Sequence, residues 1–284
     1  MNTVPTPPQR IDLTALRRMK ADGQKFAMLT AYDYPMAALA QAAGVHSLLI
    51  GDSMGTVLLG HSSTRDVPLS LMIVLGEAVR RGAPNVYLVG DLPYEAVVEG
   101  ADPVAAAKRF RDEAGCDAVK FEAGSEDDRL VREFVRAGIE TIAHLGLRPQ
   151  QVRSPDGYRA QARDAGSIEV LREDARRMEA AGAAMILLEA VPPEASQRVV
   201  EAVQVPVIGC GAGPACDGHV LVTQDMLGIG VIRPPRFVPV HAQLGELAEK
   251  AMRRYVEDIA SGRYPGREHV YGMRAPQTDA PASP

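Results

Sequence analysis

The feature that most constrains this chain is a rhythm. Eight short apolar runs recur along it, "KFAMLTAYD", "HSLLIGDS", "VYLVGD", "AVKFEAG", "TIAHLG", "MILLEAV", "VPVIGCGAG" and "HVLVTQD", with longer segments between them. A continuous apolar run of this length, bounded by turn residues, reads as a strand buried on both faces. The intervening segments carry the period of a helix: in "DPVAAAKRFRDEAG", Val104, Ala107, Phe110 and Ala114 share one face and the charges occupy the other. "AGSIEVLREDARRMEAAGA" behaves likewise and ends in glycine, a helix-stop signal; "AQLGELAEKAMRRYVEDIASG" reads as a long final helix closed by Gly262. Strands that alternate with helices pair in parallel through crossover connections. Eight such units in roughly 250 residues predict an α/β fold of the (β/α)8 TIM barrel kind. A doubly wound open sheet is the competitor, but it usually has fewer strands and a glycine fingerprint at its first turn, which this chain lacks. "IDLTALRRMKADG", before the first run, predicts an extra N-terminal helix placed to cover the barrel's lower end.

At 284 residues the chain is long enough for one large core. Nothing inside it resembles an interdomain linker, so residues 11–272 are expected to form a single domain. Residues 1–10 and 273–284, rich in proline and small residues, are expected to be flexible. A net charge of -5 argues against nucleic acid or an anionic membrane surface as partner. No apolar run approaches the ~20 residues of a membrane helix, and "MNTVPTPPQR" lacks the form of a secretory signal. The three cysteines, Cys116, Cys210 and Cys216, fit neither a disulfide framework nor a zinc pattern. A reducing, cytoplasmic setting is the expectation.

In a barrel of this kind, chemistry sits where the strands end. The first exit carries Thr30, Tyr32 and Asp33, the second Asp52 and Ser53, the third Asp91. The fourth carries Lys120 and Glu122, two apart and so on one side of the strand, the fifth His144, the sixth Glu189 and the seventh the glycine-rich "GCGAG". Taken singly these have structural explanations: Asp33 and Asp66 read as helix N-caps, a lone lysine snorkels at an edge, and glycines permit tight turns. Taken together, strands two to six all end in ionisable groups that a barrel brings to one mouth. Carboxylates packed there need a counter-charge. Their oxygens favour a hard ion, Mg2+ before Zn2+, with Asp52 and Asp91 as direct ligands and Glu122 bound directly or through water. Lys120 is then a fixed positive charge for a substrate carboxylate or enolate, and Glu189, which the metal does not need, is free to act as base. The pattern points to metal-assisted carbanion chemistry on a small oxo-acid. The glycines after the seventh strand are expected to let the backbone approach that substrate closely.

The segments "TAYDYPMA", "LLIGDSMG", "AVRRGAPN", "DLPYEA", "AVKFEAG", "AHLGLRPQ", "LLEAVP", "VIGCGAGPACDGHVLV" and "YPGREH" occur in that order from about Leu13 to His269. In combination they resemble the ketopantoate hydroxymethyltransferase family. The resemblance implies a (β/α)8 barrel of the phosphoenolpyruvate/pyruvate superfamily type, commonly a homodecamer of two stacked pentameric rings. It implies transfer of a hydroxymethyl group from the co-substrate 5,10-methylenetetrahydrofolate to 3-methyl-2-oxobutanoate, giving 2-dehydropantoate on the route to pantothenate and coenzyme A. By matching motifs it implies one Mg2+ per subunit at Asp52, Asp91 and Glu122, and keto-acid contacts from Asp52, Ser53, Asp91 and Lys120. It also makes Glu189 the proton acceptor at C3, with a Mg-stabilised enolate that Lys120 assists and His144 hydrogen-bonding nearby. The chain departs from the family pattern at "RDVPLSLM" (Arg65–Met72), at Val74, Leu75 and Gly76, and at Gln224, where the family usually has histidine. None of these is in the implied metal or substrate set; they fall where folate access, the loop after the second strand or subunit contacts would be shaped. The alternative is a divergent superfamily member, a lyase, mutase or hydroxymethyltransferase for another 2-oxo acid. Lyases and mutases of that kind usually bring a catalytic cysteine or extra arginines after the fourth strand, where "EAGSEDDR" stands.

Overall fold

Each apolar run becomes a strand: β1 Phe26–Thr30, β2 Ser47–Ile50, β3 Tyr87–Asp91, β4 Ala118–Glu122, β5 Glu140–Gly146, β6 Met185–Glu189, β7 Val207–Cys210 and β8 Gly218–Leu221. The computed structural model describes residues 10–152, 158–230 and 233–273, so the termini expected to be flexible lie almost wholly outside the described residues. The eight strands close in sequence order into a barrel, and every neighbouring pair, β8 with β1 included, is parallel. Around it run α1 Leu13–Ala21, α2 Tyr34–Ala42, α3 Met54–Val57, α4 Leu69–Gly82, α5 Pro103–Asp112, α6 Asp128–Arg136, α7 Ala165–Ala181, α8 Pro193–Ala202, α9 Thr223–Leu227 and α10 Leu244–Ala260.

The sheet separates two apolar cores. The outer one lies between strands and helices, with Leu48, Ile50, Leu88, Val119, Phe121, Ile186 and Leu188 of the strands packed against Ile73, Phe110, Phe134 and Met178 of the helices. The inner one fills the barrel with Phe26, Met28, Leu49, Tyr87, Val89, Ala118, Ile142, Met185, Leu187, Ile208 and Val220. Successive side chains of a strand point to opposite faces, so the inward series can be followed along each strand. On β3 it runs Tyr87, Val89, Asp91; on β4 Ala118, Lys120, Glu122; on β5 Ile142, His144; on β6 Met185, Leu187, Glu189. The interior is therefore apolar below and ionisable above. As the sequence predicts, α1 closes the lower end: Leu16 is fully buried in the inner core, with Ile11, Leu13 and Met19 against it. Asp12 fixes the start of this helix by accepting the Ala15 N–H at 2.8 Å.

Three details differ from the sequence-based expectation. Between β7 and β8 there is no helix; seven residues, 211–217, make the return. Both strands are four residues long, roughly 13 Å, and a seven-residue segment can span up to roughly 23 Å. Asp217 anchors it, taking the Val207 N–H at 2.8 Å and the Lys20 ammonium at 2.9 Å. Asp33 caps α2 through the Met36 N–H as expected, but Asp66 caps no α-helix: it lies in a 3-10 turn, Thr64–Asp66, and the first N–H of α4, at Leu69, is met instead by Glu95 Oε1 at 2.7 Å. α10 forms where expected but buries none of its residues, leaving Leu247, Met252, Tyr255, Val256 and Ile259 exposed.

If α1 is the plug of the inner core, Leu16→Ala will lower the unfolding free energy by about 3 kcal/mol, measured by urea denaturation. A loss under about 1 kcal/mol would show that the lower end needs no plug.

Candidate active site

The ionisable top of the inner series forms the floor of a cavity open to solvent, lined by Asp52, Ser53, Asp91, Lys120, Glu122, His144 and Glu189 among others. The parallel register explains the convergence. Asp91 pairs with Lys120, Glu122 with His144, and Glu189 with Gly146, so the last ionisable residues of adjacent strands stand level or within two residues of one another. The sequence places all seven residues at strand ends, and the structure brings all seven to one cavity.

Across the floor runs a line of contacts. The buried ammonium of Lys120 lies 2.7 Å from Asp91 Oδ1, off the direction of a well-aligned hydrogen bond. On its other side it meets His144 Nδ1 at 3.5 Å, and His144 Nε2 lies 3.3 Å from Glu189 Oε2. Burial would push Lys120 toward its neutral form, but the carboxylates of Asp91 and Asp52 outweigh this and hold it protonated. Burial and the Lys120 charge push His144 below its ordinary range, so its ring is neutral. An ammonium has no lone pair to offer. Nδ1 must therefore accept, which leaves the ring proton on Nε2, facing the Glu189 carboxylate.

The carboxylates are crowded. Burial pushes Asp91 up to about 7, against the pull of Lys120, and Glu122 up to about 8, against the Gln150 N–H. Asp91 Oδ2 accepts the Asp52 N–H at 3.1 Å; Glu122 Oε1 accepts the Gln150 N–H at 2.8 Å, while Glu122 Oε2 is buried with no partner among the described residues. Among the described residues no group of three His, Cys, Asp or Glu side chains stands close enough to hold a metal as it is, and Lys120 already pairs with Asp91. The donor set still fits a hard divalent ion. It consists of oxygens, one of them an orphaned buried carboxylate oxygen, and burial outweighs the Lys120 charge in raising the pKa of Asp91 and Glu122.

Gln150 escapes the sequence analysis. Fully buried in the 3-10 turn after β5, its Nε2 donates to Asp52 Oδ2 at 2.9 Å and to Leu92 O at 3.0 Å, while its own backbone N–H holds Glu122. One residue thus positions two carboxylates. It stands four residues beyond the strand, where strand-end counting does not reach. Tyr32, fully buried, hydrogen-bonds Ser53 Oγ at 2.8 Å and fixes that hydroxyl at the rim. Just after Glu189, Ala190 adopts φ +49°, a left-handed conformation costly for a residue with a Cβ. Two bonds hold it there: its N–H to Cys210 O at 2.9 Å, and its carbonyl from the Gln161 N–H at 2.8 Å. The glycines after β7 do not lie open to a substrate as the sequence suggests. A Cβ on Gly209 would meet the Cys216 Sγ at 2.9 Å, one on Gly211 the Phe237 ring at 2.6 Å, and one on Gly213 Pro193 at 2.9 Å, so these glycines admit the chain's own side chains.

Comparison with known proteins agrees with this geometry. Residues 10–267 match the family model described as ketopantoate hydroxymethyltransferase. The chain is 41% identical over 262 residues to the 3-methyl-2-oxobutanoate hydroxymethyltransferase of Halalkalibacterium halodurans, covering 92% of this chain and 94% of that one. It is 43% identical over 251 residues to the enzyme of the same name from Thermus thermophilus, covering 88% and 96%. Among solved structures it resembles phosphonopyruvate hydrolase complexed with oxalate and Mg2+ at TM-score 0.59 and 14% identity, covering 91% of this chain and 93% of that one. It also resembles 2,3-dimethylmalate lyase, a PEP mutase/isocitrate lyase superfamily member, at TM-score 0.57 and 18% identity, covering 95% and 92%. At those identities the structures speak for a shared barrel fold alone.

The raised carboxyls give a pH test. Asp91 and Glu122 bind protons more tightly folded than unfolded, so their contribution to stability falls as pH rises from the unfolded value, about 4, toward about 7 and about 8. A cation on these oxygens displaces those protons. The rise in melting temperature on adding Mg2+ is therefore expected to be larger at about pH 9 than at about pH 6; equal rises at both would contradict a site built on these two groups.

Proposed function

This chain belongs to the ketopantoate hydroxymethyltransferase family, and on that membership we propose that it transfers a hydroxymethyl group from 5,10-methylenetetrahydrofolate to 3-methyl-2-oxobutanoate, forming 2-dehydropantoate. The observation that carries this is the Lys120–His144–Glu189 line in one cavity, with a base at one end and a fixed ammonium at the other. Lys120 attracts the carboxylate and 2-oxo oxygens of the keto acid, and Ser53, set by Tyr32, offers them a hydroxyl. Glu189 takes the proton from C3, with His144 Nε2 standing 3.3 Å from its carboxylate. The carbon so freed forms its new bond to the one-carbon unit of the folate. Both bonds from that unit to the folate nitrogens N5 and N10 break; water supplies the hydroxyl to carbon and a proton to one nitrogen, and the proton taken from C3 goes to the other. Asp52 and Asp91, with Glu122 directly or through water, would hold Mg2+, which supplies a Lewis acid for the substrate oxygens when bound.

The lining offers no arginine among the described residues, and the loop after β4 turns directly into α6, with Asp127 Oδ2 accepting the Gly124 N–H at 2.6 Å. This favours the transferase over a lyase or mutase. We further propose a cytoplasmic homo-oligomer, a decamer as in the family. Supporting it, no helix among the described residues is long and apolar enough to cross a membrane, and α10 presents Leu247, Met252, Tyr255, Val256 and Ile259 to solvent, a face that another copy would cover.

Purified protein with Mg2+, 3-methyl-2-oxobutanoate and methylenetetrahydrofolate is expected to yield 2-dehydropantoate, and without folate to exchange the C3 proton for deuterium. Glu189→Gln should slow both by roughly a hundredfold or more. Wild-type protein that gives neither signal, or a variant that exchanges at the wild-type rate, would contradict the assignment. Sedimentation should give the mass of ten chains; a monomer would contradict the assembly.

A further inference from the structure

The cavity has two unlike halves. One is the ionisable floor of β2 to β6; the other is an apolar wall from Val220 and Val222 to Pro235, Phe237 and Val238, broken by a single carboxylate, Asp225. A small keto acid held by the ionisable floor leaves the apolar wall uncovered, and the cavity opens to solvent beyond it.

Asp225 is held on a short, firmly seated turn. Thr223 Oγ1 donates to Thr30 O at 2.5 Å, the Thr223 N–H donates to Thr30 Oγ1 at 3.1 Å, and Gly228, at φ +62°, closes α9. The Asp225 side chain is half-buried, yet it neither caps α9 nor pairs with any group among the described residues. A carboxylate part-withdrawn from water without a donor is costly, and burial raises its proton affinity accordingly. In the same lining the Phe237 ring lies over Gly211, where any side chain would displace it; a Cβ there would come within 2.6 Å of the ring. A flat apolar wall next to an acceptor with two free oxygens suits a planar heterocycle whose edge carries adjacent N–H donors.

We propose that Asp225 and Phe237 form the subsite for the reduced pterin of the one-carbon donor, Asp225 accepting from the ring's 2-amino and N3–H groups and Phe237 covering its face. This rests on the folate reading above and goes further, by placing the donor against the β8 side and the keto acid against the β2–β6 side. Wall and floor line one cavity, and β8 lies between β7 and β1 in the barrel, across from β4, so a pterin bound there would present its methylene carbon toward the keto acid over Lys120 and Glu189.

Steady-state kinetics of the full chain separate the two halves. Asp225→Asn should raise KM for methylenetetrahydrofolate by roughly tenfold to a hundredfold and shift KM for the keto acid by less than about twofold. 6-Methyltetrahydropterin, which lacks the aminobenzoyl-glutamate tail, should compete with the folate on wild-type enzyme and lose most of that competition on the variant. Should Asp225→Asn not fold, Phe237→Leu is read in the same way, with the same split expected. Both KM values rising together, neither rising, or a tetrahydropterin that fails to compete on wild type would overturn the subsite. Failure of the underlying reading shows separately, as no product from wild-type enzyme with both substrates present.

Discussion

One buried positive charge makes this site possible. Lys120 is almost wholly removed from water, a position that a lone ammonium does not tolerate, yet it stays protonated because Asp91 touches it and Asp52 stands close. The dependence is mutual. Asp52, Asp91, Glu122 and Glu189 gather at one mouth, and without a cation among them their repulsion and desolvation would drive protons onto them. Asp91 and Glu122 are already part of the way there. The lysine also fixes the tautomer of His144, and His144 in turn faces Glu189. A single ammonium thus sets the charge state of one wall and the tautomer of the histidine that faces the other.

The barrel turns a linear alternation into that arrangement. Each strand contributes an inward series that begins apolar and ends ionisable, and parallel closure puts all the ends at one rim. The lower layers carry the folding energy and α1 seals them, so the upper layer is free to be electrostatically unfavourable. The division matches the rule that barrel chemistry sits at the C-terminal ends of the strands and stability at the other end. It also explains why the positioning groups come from loops: Gln150, Tyr32 and the left-handed Ala190 lie just past the strands, where backbone can reach sideways to a neighbouring carboxylate.

Much of this is legible in the chain. Strand ends such as "VGD", "VKFE" and "LLE" show their alternation directly, so Asp91, Lys120, Glu122 and Glu189 can be named without coordinates. What is not legible has a common physical character. Gln150 acts through space on partners far away in sequence, and Asp225 lines the cavity without one; nothing local in "RPQQ" or "TQDM" announces either. The glycines of "GCGAG" signal close approach correctly, but not what approaches; Phe237 and Pro193 fill the place a substrate was expected to take. The return between β7 and β8 has no helix, and its glycines and proline, in "GAGPACD", suit a loop better than a helical turn. Asp66 shares the composition of an N-cap, but Glu95 from the next loop takes the capping role.

The central claim is spatial: the keto acid lies between Lys120 and Glu189 with its C3 facing the glutamate. A crystal structure of the enzyme with Mg2+ and 3-methyl-2-oxobutanoate tests it most directly. The account predicts the substrate's oxygens on the Asp52, Asp91 and Lys120 side and its C3 within van der Waals contact of the Glu189 carboxylate. A keto acid bound elsewhere in the cavity, or turned so that C3 points away from Glu189, would contradict it.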